Sequence, residues 1–178
     1  HAMVRHPSPR PKWVALWCAL ALASKETGAI ALPCDSIDSA QVEKLFVEVD
    51  TRFGRLDVVL YNASRRARGA IDELDPADVQ KALMVTAFGG FLVGQQAAIR
   101  MLHQGAGTIL FTGASASVKG YPLSAPFAMG KFALRGLAQS MARELAPKGI
   151  HVAHFVIDGG VRNFVPQYGL AFLACHLL

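Results

Sequence analysis

Apolar residues along the chain fall into two patterns. Short β-type runs occur at Ala29–Leu32, Leu56–Tyr61, Thr108–Thr112 and Ile150–Ile157. The second and third are nearly continuous rather than alternating, as in strands of a parallel sheet covered by helices on both faces. Between the runs the apolar spacing changes to that of a helix. A first helix is predicted from Asp38 to Phe53, with apolar stripe Val42, Leu45, Phe46, Val49 and Phe53. Asp38 with Gln41 resembles a capping box, and Gly54 suits the left-handed position after the last turn. A second helix starts at Asp75-Pro76, a cap followed by proline at the first helical position, and runs to about His103. A third runs from about Ala125 to Ala146 and stops at Pro147 and Gly149. Strand and helix alternate throughout, which predicts an α/β fold with a doubly wound parallel sheet. The chain has no internal repeat, no heptads and no long linker.

Composition narrows the class. Of 178 residues, 52% are apolar and 17% charged, which excludes intrinsic disorder and suits one domain with a substantial core. A net charge of +5 is a mild excess, and no interleaving of basic and aromatic residues points to nucleic acid. The three cysteines (Cys18, Cys34, Cys175) have no CxxC spacing and read as free thiols of a reducing, cytoplasmic compartment. The six histidines show no metal-ligand spacing; His151 and His154 fall on opposite faces of one strand. No GxSxG nucleophile elbow is present.

At the start, His1-Ala2-Met3 resembles a cloning scar. Arg5, Arg10 and Lys12 precede the apolar run Trp13 to Ala23, the outline of a secretory signal peptide. The same run places Trp13, Leu16, Trp17 and Leu20 at the spacing of a core-packed helix, and the intracellular character of the rest favours that reading. It is too short to cross a bilayer, which takes about 20 residues, and no membrane partner is expected.

In open parallel sheets ligands bind beyond the carboxyl ends of the strands. The segments following the four runs are Cys34-Asp35-Ser36, Asn62-Ala63-Ser64, Gly113-Ala114-Ser115-Ala116-Ser117 and Asp158-Gly159-Gly160. Each taken alone is ordinary turn chemistry. Four in phase at one sheet edge point to a nucleotide site.

These residues resemble the short-chain dehydrogenase/reductase family over about Gly28 to Asn163. Leu56 to Ser64 (LDVVLYNAS) is similar to the family's L-D-x-L-V-N-N-A-G strand and turn, and Gly107 to Ser117 to its G-x-I-V-x-x-S-S segment. Lys131 with Phe132 to Leu137 is similar to the Y-x-x-x-K helix, Ala142 to Val152 to A-x-E-L-x-x-x-G-I-x-V, and Asp158 to Val161 stands where the family has P-G-x-V. The resemblance implies a Rossmann-like sheet that binds NAD or NADP, and hydride transfer to or from a small carbonyl, alcohol or enoyl substrate. By resemblance Asp35 and Ser36 face the adenine, Asn62, Ala63 and Ser64 line the adenosine side, Lys131 holds the nicotinamide ribose, and Gly159, Val161 and Asn163 border the nicotinamide. It also implies a homodimer through the two long helices; Gly89, Gly90 and Gly94 of the second helix allow close approach, either to such a partner or internally to the sheet.

The chain departs from the pattern at the reacting groups. Four residues before Lys131, where the family has its proton-donating tyrosine, stands Phe127. Ala114 occupies the serine position and Thr86 that of the long helix's asparagine, so Lys131 alone of the four is retained. Ser115, Tyr121 and Thr86 offer the nearest hydroxyls and join Lys131 as candidate catalytic residues. Loss of the phenol alone would slow carbonyl reduction by about 10²–10⁴-fold. Nothing resembles the phosphate-binding loop G-x-x-x-G-x-G, so the fold is expected to be incomplete at both ends: an atypical segment 1–27, a family-like core 28–163 and an apolar tail 164–178. Arg65-Arg66-Ala67-Arg68 flanks the site and could take an anionic substrate by charge-assisted bonds, or be a solvated loop. Two functional readings result. One is an oxidoreductase with non-standard catalytic residues, carried by Lys131, Asn62 and Gly159. The other is a catalytically impaired nucleotide-binding or dimerisation module, carried by the missing tyrosine, serine and phosphate loop.

Overall fold

The structure, a computed structural model, describes residues 30–157. The chain divides after Pro33, and the unit considered below begins at Cys34. The Trp13–Ala23 run, the apolar tail, and Gly159, Val161 and Asn163 lie outside the described residues. Ile30–Leu32, expected to belong to a strand, form none.

The order of elements is α1 (Ser39–Phe53), β1 (Val58–Tyr61), α2 (Pro76–Leu83), a π-helical turn (Met84–Phe88), α3 (Gly89–Gln104), β2 (Gly107–Ala114), a 3₁₀ turn (Ser115–Ser117), α4 (Ala125–Leu145), a second 3₁₀ turn (Ala146–Lys148) and β3 (Ile150–Ile157). The strands form a parallel sheet in the order β1-β2-β3. Val58 pairs with Thr108 and Tyr61 with Phe111, and Gly107 pairs with Ile150 and Ala114 with Ile157. The expected parallel α/β sheet is therefore present among the described residues.

Local signals set the helix ends. Asp38 caps α1 by accepting the Ala40 and Gln41 N–H groups, and Gly54 closes it at φ 68°. Gln41 does not complete a reciprocal capping box. Its amide donates to Asp38 Oδ2 at 2.8 Å, and its Oε1 accepts the Asp35 N–H at 3.0 Å, tying the preceding turn to the helix. Asp75 caps α2 ahead of Pro76. Of the stripe expected on α1, Val42, Phe46 and Val49 are buried, whereas Phe53 in the last turn is exposed.

Packing joins these elements into one core. Val42, Phe46 and Val49 of α1 meet Leu92, Val93, Ala97 and Met101 of α3, Val59 and Tyr61 of β1, and Ile109 and Phe111 of β2. Leu134 and Ala138 of α4 and Ile150 and Val152 of β3 complete it. Asp50 of α1 holds Arg100 of α3 through Nε at 2.8 and 3.0 Å. The Gln104 amide clasps both the N–H and the carbonyl of Leu56, setting where β1 begins. Gly90 lets Leu134 and Tyr61 come close: a Cβ there would lie 2.5 Å from Leu134 Cδ1. The small residues of α3 thus serve internal packing.

One feature interrupts the expected continuous helix from Asp75 to His103. The buried Tyr61 phenol, at the end of β1, donates to the carbonyl of Val85. That carbonyl would otherwise accept the Gly89 N–H, which bonds Met84 instead and widens the turn to a π-helix. Burial pushes the Tyr61 phenol up to about 12, against a hydrogen bond from Ser36 that acts the other way.

Candidate active site

Because the strands are parallel, the segments that follow them share one sheet edge. A cavity of about 600 Å³ opens there. Arg66, Arg68 and Gly69 line it from the segment after β1, and Ala114 to Ala116 and Tyr121 to Ser124 from the segment after β2. Phe127 of α4 and Ile157, the last residue of β3, complete the wall.

Beside this cavity lies Lys131, only 3% exposed on α4. Its Nζ donates to the Thr112 carbonyl at 2.7 Å and sits 5.8 Å from the centre of the Phe127 ring. Burial, and then the Arg66 guanidinium, pulls the ammonium down to about 8. Phe127 is buried and carries the Arg66 guanidinium 4.0 Å over its ring centre.

The segment bearing Arg66 is pinned on both sides. The Arg65 N–H donates to Thr86 Oγ1 at 3.2 Å, and the Arg65 guanidinium pairs with Asp78 at 3.1 Å. The Gly69 N–H donates to the Leu123 carbonyl at 3.3 Å. Thr86 is wholly buried, with its Cβ and methyl 2.9 and 3.0 Å from where a Cβ on Gly130 would lie and its hydroxyl turned to the Arg65 N–H. Of the two serines after β2, Ser115 lines the cavity, while buried Ser117 accepts the Ala114 N–H at 3.1 Å and shapes the turn.

The structure brings some expected site residues together and leaves others apart. Ser115 and Tyr121 share the cavity, with Lys131 behind Phe127. Asn62, Ala63 and Ser64 leave the end of β1 half-buried but do not line that cavity. Asp35 accepts the Ile37 N–H at 3.2 Å in its own turn. Ser36 lies near the Tyr61 phenol: both come within 3.0 Å of where a Cβ on Gly89 would lie. The amide of Asn62, the hydroxyls of Ser36 and Ser64 and the carboxylate of Asp35 are the hydrogen-bonding groups of this second stretch, of the kind a nucleoside requires. Lys131 keeps two N–H donors beyond the one given to Thr112. No G-x-x-x-G-x-G loop occurs in the sequence to cradle a pyrophosphate.

Two features escaped sequence reasoning. Arg66 was visible only as part of a basic run, and nothing local marks it as the residue that stacks on Phe127. His154 of β3 packs its ring where Gly113 leaves room; a Cβ on Gly113 would lie 2.3 Å from His154 Cε1. Burial, and then Lys131 and Arg135, hold its imidazole below the usual histidine range, and its Nε2 has no hydrogen-bond partner among the described residues. Among the described residues no group of histidine, cysteine and carboxylate side chains could hold a metal ion.

Comparison with known proteins agrees with this geometry. Residues 15–162 match the short chain dehydrogenase family. A 3alpha-hydroxysteroid dehydrogenase from Mediterraneibacter gnavus is 34% identical over 115 residues, covering 65% of this chain and 46% of the relative. A gluconate 5-dehydrogenase from Burkholderia cenocepacia, solved with NADP and tartrate, superposes with a TM-score of 0.72 at 29% identity, covering 79% of this chain and 56% of the other. An NAD+-bound xylitol dehydrogenase superposes with a TM-score of 0.76 at 28% identity, covering 83% and 57%. The chain spans about half the length of these relatives. With the parallel sheet, the carboxyl-edge cavity and the family match over most of its length, this chain belongs to the short-chain dehydrogenase/reductase family of NAD(P)-dependent oxidoreductases.

Proposed function

We propose that this chain binds NAD or NADP at the carboxyl edge of its sheet and transfers hydride to or from a small carbonyl, alcohol or enoyl substrate held in the 600 Å³ cavity. The observation that carries the proposal is the buried Lys131 beside that cavity, with its ammonium poised near neutrality. The dinucleotide would run along Asp35, Ser36, Asn62, Ala63 and Ser64 towards Lys131, with Gly159, Val161 and Asn163 beside the nicotinamide. When bound, the nicotinamide supplies or accepts the hydride. The chain's own task is to place the substrate and to handle the proton. By family resemblance Phe127 stands in for the tyrosine that gives the proton, and a phenyl ring has none to give. Lys131 Nζ can hold or release one near neutral pH. Ser115 and Tyr121 present hydroxyls to the cavity and can orient a substrate oxygen.

A second reading has its own support. Ala114 and Phe127 put apolar surface on the cavity wall where the family places its serine and tyrosine, so a nucleotide-binding module with impaired chemistry fits the same geometry. Fluorescence titration with NADH and NADPH separates both readings from none. Saturable binding weakened by Lys131→Ala supports the dinucleotide site, and turnover of a carbonyl substrate supports the first reading over the second. No saturable binding at millimolar cofactor refutes both.

We also propose that the chain pairs with a second copy through its long helices. The glycines of α3 face inward, but Phe88, Phe91, Ile99 and Leu102 on one helix and Met129 and Phe132 on the other are exposed. Large apolar side chains grouped this way are characteristic of interfaces. The cysteine spacing fits a cytoplasmic setting.

A further inference from the structure

Among the described residues, the cavity at the sheet edge is lined by two guanidinium groups, Arg66 and Arg68, and by no carboxylate. Arg65, Arg100, Arg52 and Arg55 are each matched to an acidic side chain. Neither Arg66 nor Arg68 is in an ion pair among the described residues. The Arg66 guanidinium carbon sits 4.0 Å over the Phe127 ring centre instead, and its charge disfavours the ammonium of a third cation, the buried Lys131. Both arginines are exposed and screened by solvent, and with no acidic partner among the described residues they remain available to a ligand of opposite sign. The segment does not relax away from this arrangement. The Arg65 N–H is fixed by Thr86, the Arg65 side chain by Asp78, and the Gly69 N–H by Leu123. Pairing Arg65 outward with Asp78 leaves the next residue to turn to the cavity.

The remaining wall mixes apolar side chains (Ala114, Ala116, Pro122, Leu123, Phe127 and Ile157) with the hydroxyls of Ser115, Tyr121 and Ser124. A cavity with cations at one side and a wall of apolar side chains and hydroxyls matches an anion whose body is partly apolar and carries a polar oxygen.

We propose that the substrate of this site is an organic acid, a carboxylate on an apolar body that bears the reacting carbonyl or hydroxyl, and that Arg66 and Arg68 bind its carboxylate. This proposal rests on the oxidoreductase reading for the word substrate, and on the cavity alone for the ligand. The contact with Phe127 places the Arg66 guanidinium over that ring, and its N–H groups remain for a carboxylate. Arg66 and Arg68 are specificity-determining residues on this view.

The test compares 4-acetylbenzoate with its methyl ester, which has nearly the same shape and no charge, as ligands of the full chain by titration calorimetry. The acid is expected to bind about tenfold or more tightly than the ester, as a charge-assisted bond predicts. That gap should shrink in about 1 M salt, where the screening length falls to about 3 Å, and close in an Arg66→Gln, Arg68→Gln double variant. Equal binding of acid and ester, no saturable binding of the acid at millimolar concentration, or a gap that survives in the folded double variant overturns the proposal. If the double variant does not fold, the acid-to-ester comparison and its salt dependence in the unaltered chain still decide. NADPH oxidation with the two ketones tests the underlying reading separately. Acid-selective binding with no turnover leaves the anion site standing and removes the oxidoreductase. Equal turnover of both ketones does the reverse.

Discussion

Replacing Lys131 with methionine tests the electrostatics at the centre of the site without reference to any ligand. The unfolded chain holds a lysine proton up to about pH 10.4. In the folded chain burial and Arg66 release it near 8. Between these values the unfolded state binds more protons, so stability must rise with pH across this window. Below about pH 8 the burial penalty is paid in full, at about 3 kcal/mol for a shift of this size. With the side chain only 3% exposed, solvent screening removes little of it. From pH 7.5 to pH 9.5, linkage gives a gain of about 2 kcal/mol from this one group. Cys34 works in the opposite direction. Burial, with Asp35 and Asp38 beside it, raises its thiol, so the unfolded thiol ionises first and stability falls as pH rises through that range. That contribution is common to both proteins and cancels in their difference. Urea unfolding at the two pH values is the assay. The unaltered chain should gain about 2 kcal/mol relative to Lys131→Met on going to the higher pH. Parallel pH dependence in the two proteins would show that Lys131 is not held as the structure places it, and would remove the group on which the proposed chemistry depends.

Three further outcomes are expected. Phe127→Tyr puts a phenol four residues before Lys131 and should raise NADPH-linked carbonyl reduction by about 100-fold or more, measured as kcat; an unchanged rate would count against the proposed reading of the cavity. Tyr61→Phe strips the buried Val85 carbonyl of its donor and should cost about 1–3 kcal/mol in urea unfolding, while a loss below about 0.5 kcal/mol would mean that the π-turn has another cause. Phe91→Glu places a charge on the exposed face of α3 and should shift sedimentation from dimer to monomer; a monomeric parent chain would dispose of the pairing proposal.

The residues that could be read ahead of the structure are those whose partners are close in sequence. Asp38 and Gly54, Asp75 and Pro76, and Pro147 and Gly149 announce helix ends because each acts on its own turn. β3 was placed at its observed bounds, Ile150–Ile157, because its apolar run is itself the signal. The features that escaped are made across the fold. The π-turn exists because a phenol 24 residues away claims one carbonyl, and no pattern within Met84–Phe88 records that. Thr86 could be named as a hydroxyl near the site, but its work on the Arg65 N–H depends on how β1 ends beside the long helix. Arg66 shows the same limit most clearly. In sequence it is one of three arginines in four residues and cannot be told from its neighbours. In the fold Asp78 takes Arg65, Phe127 takes Arg66, and Arg68 reaches the same cavity wall. The family could be recognised from motifs that follow one another along the chain, whereas the side chains that line the cavity meet only when the segments after β1 and β2 come together at the sheet edge.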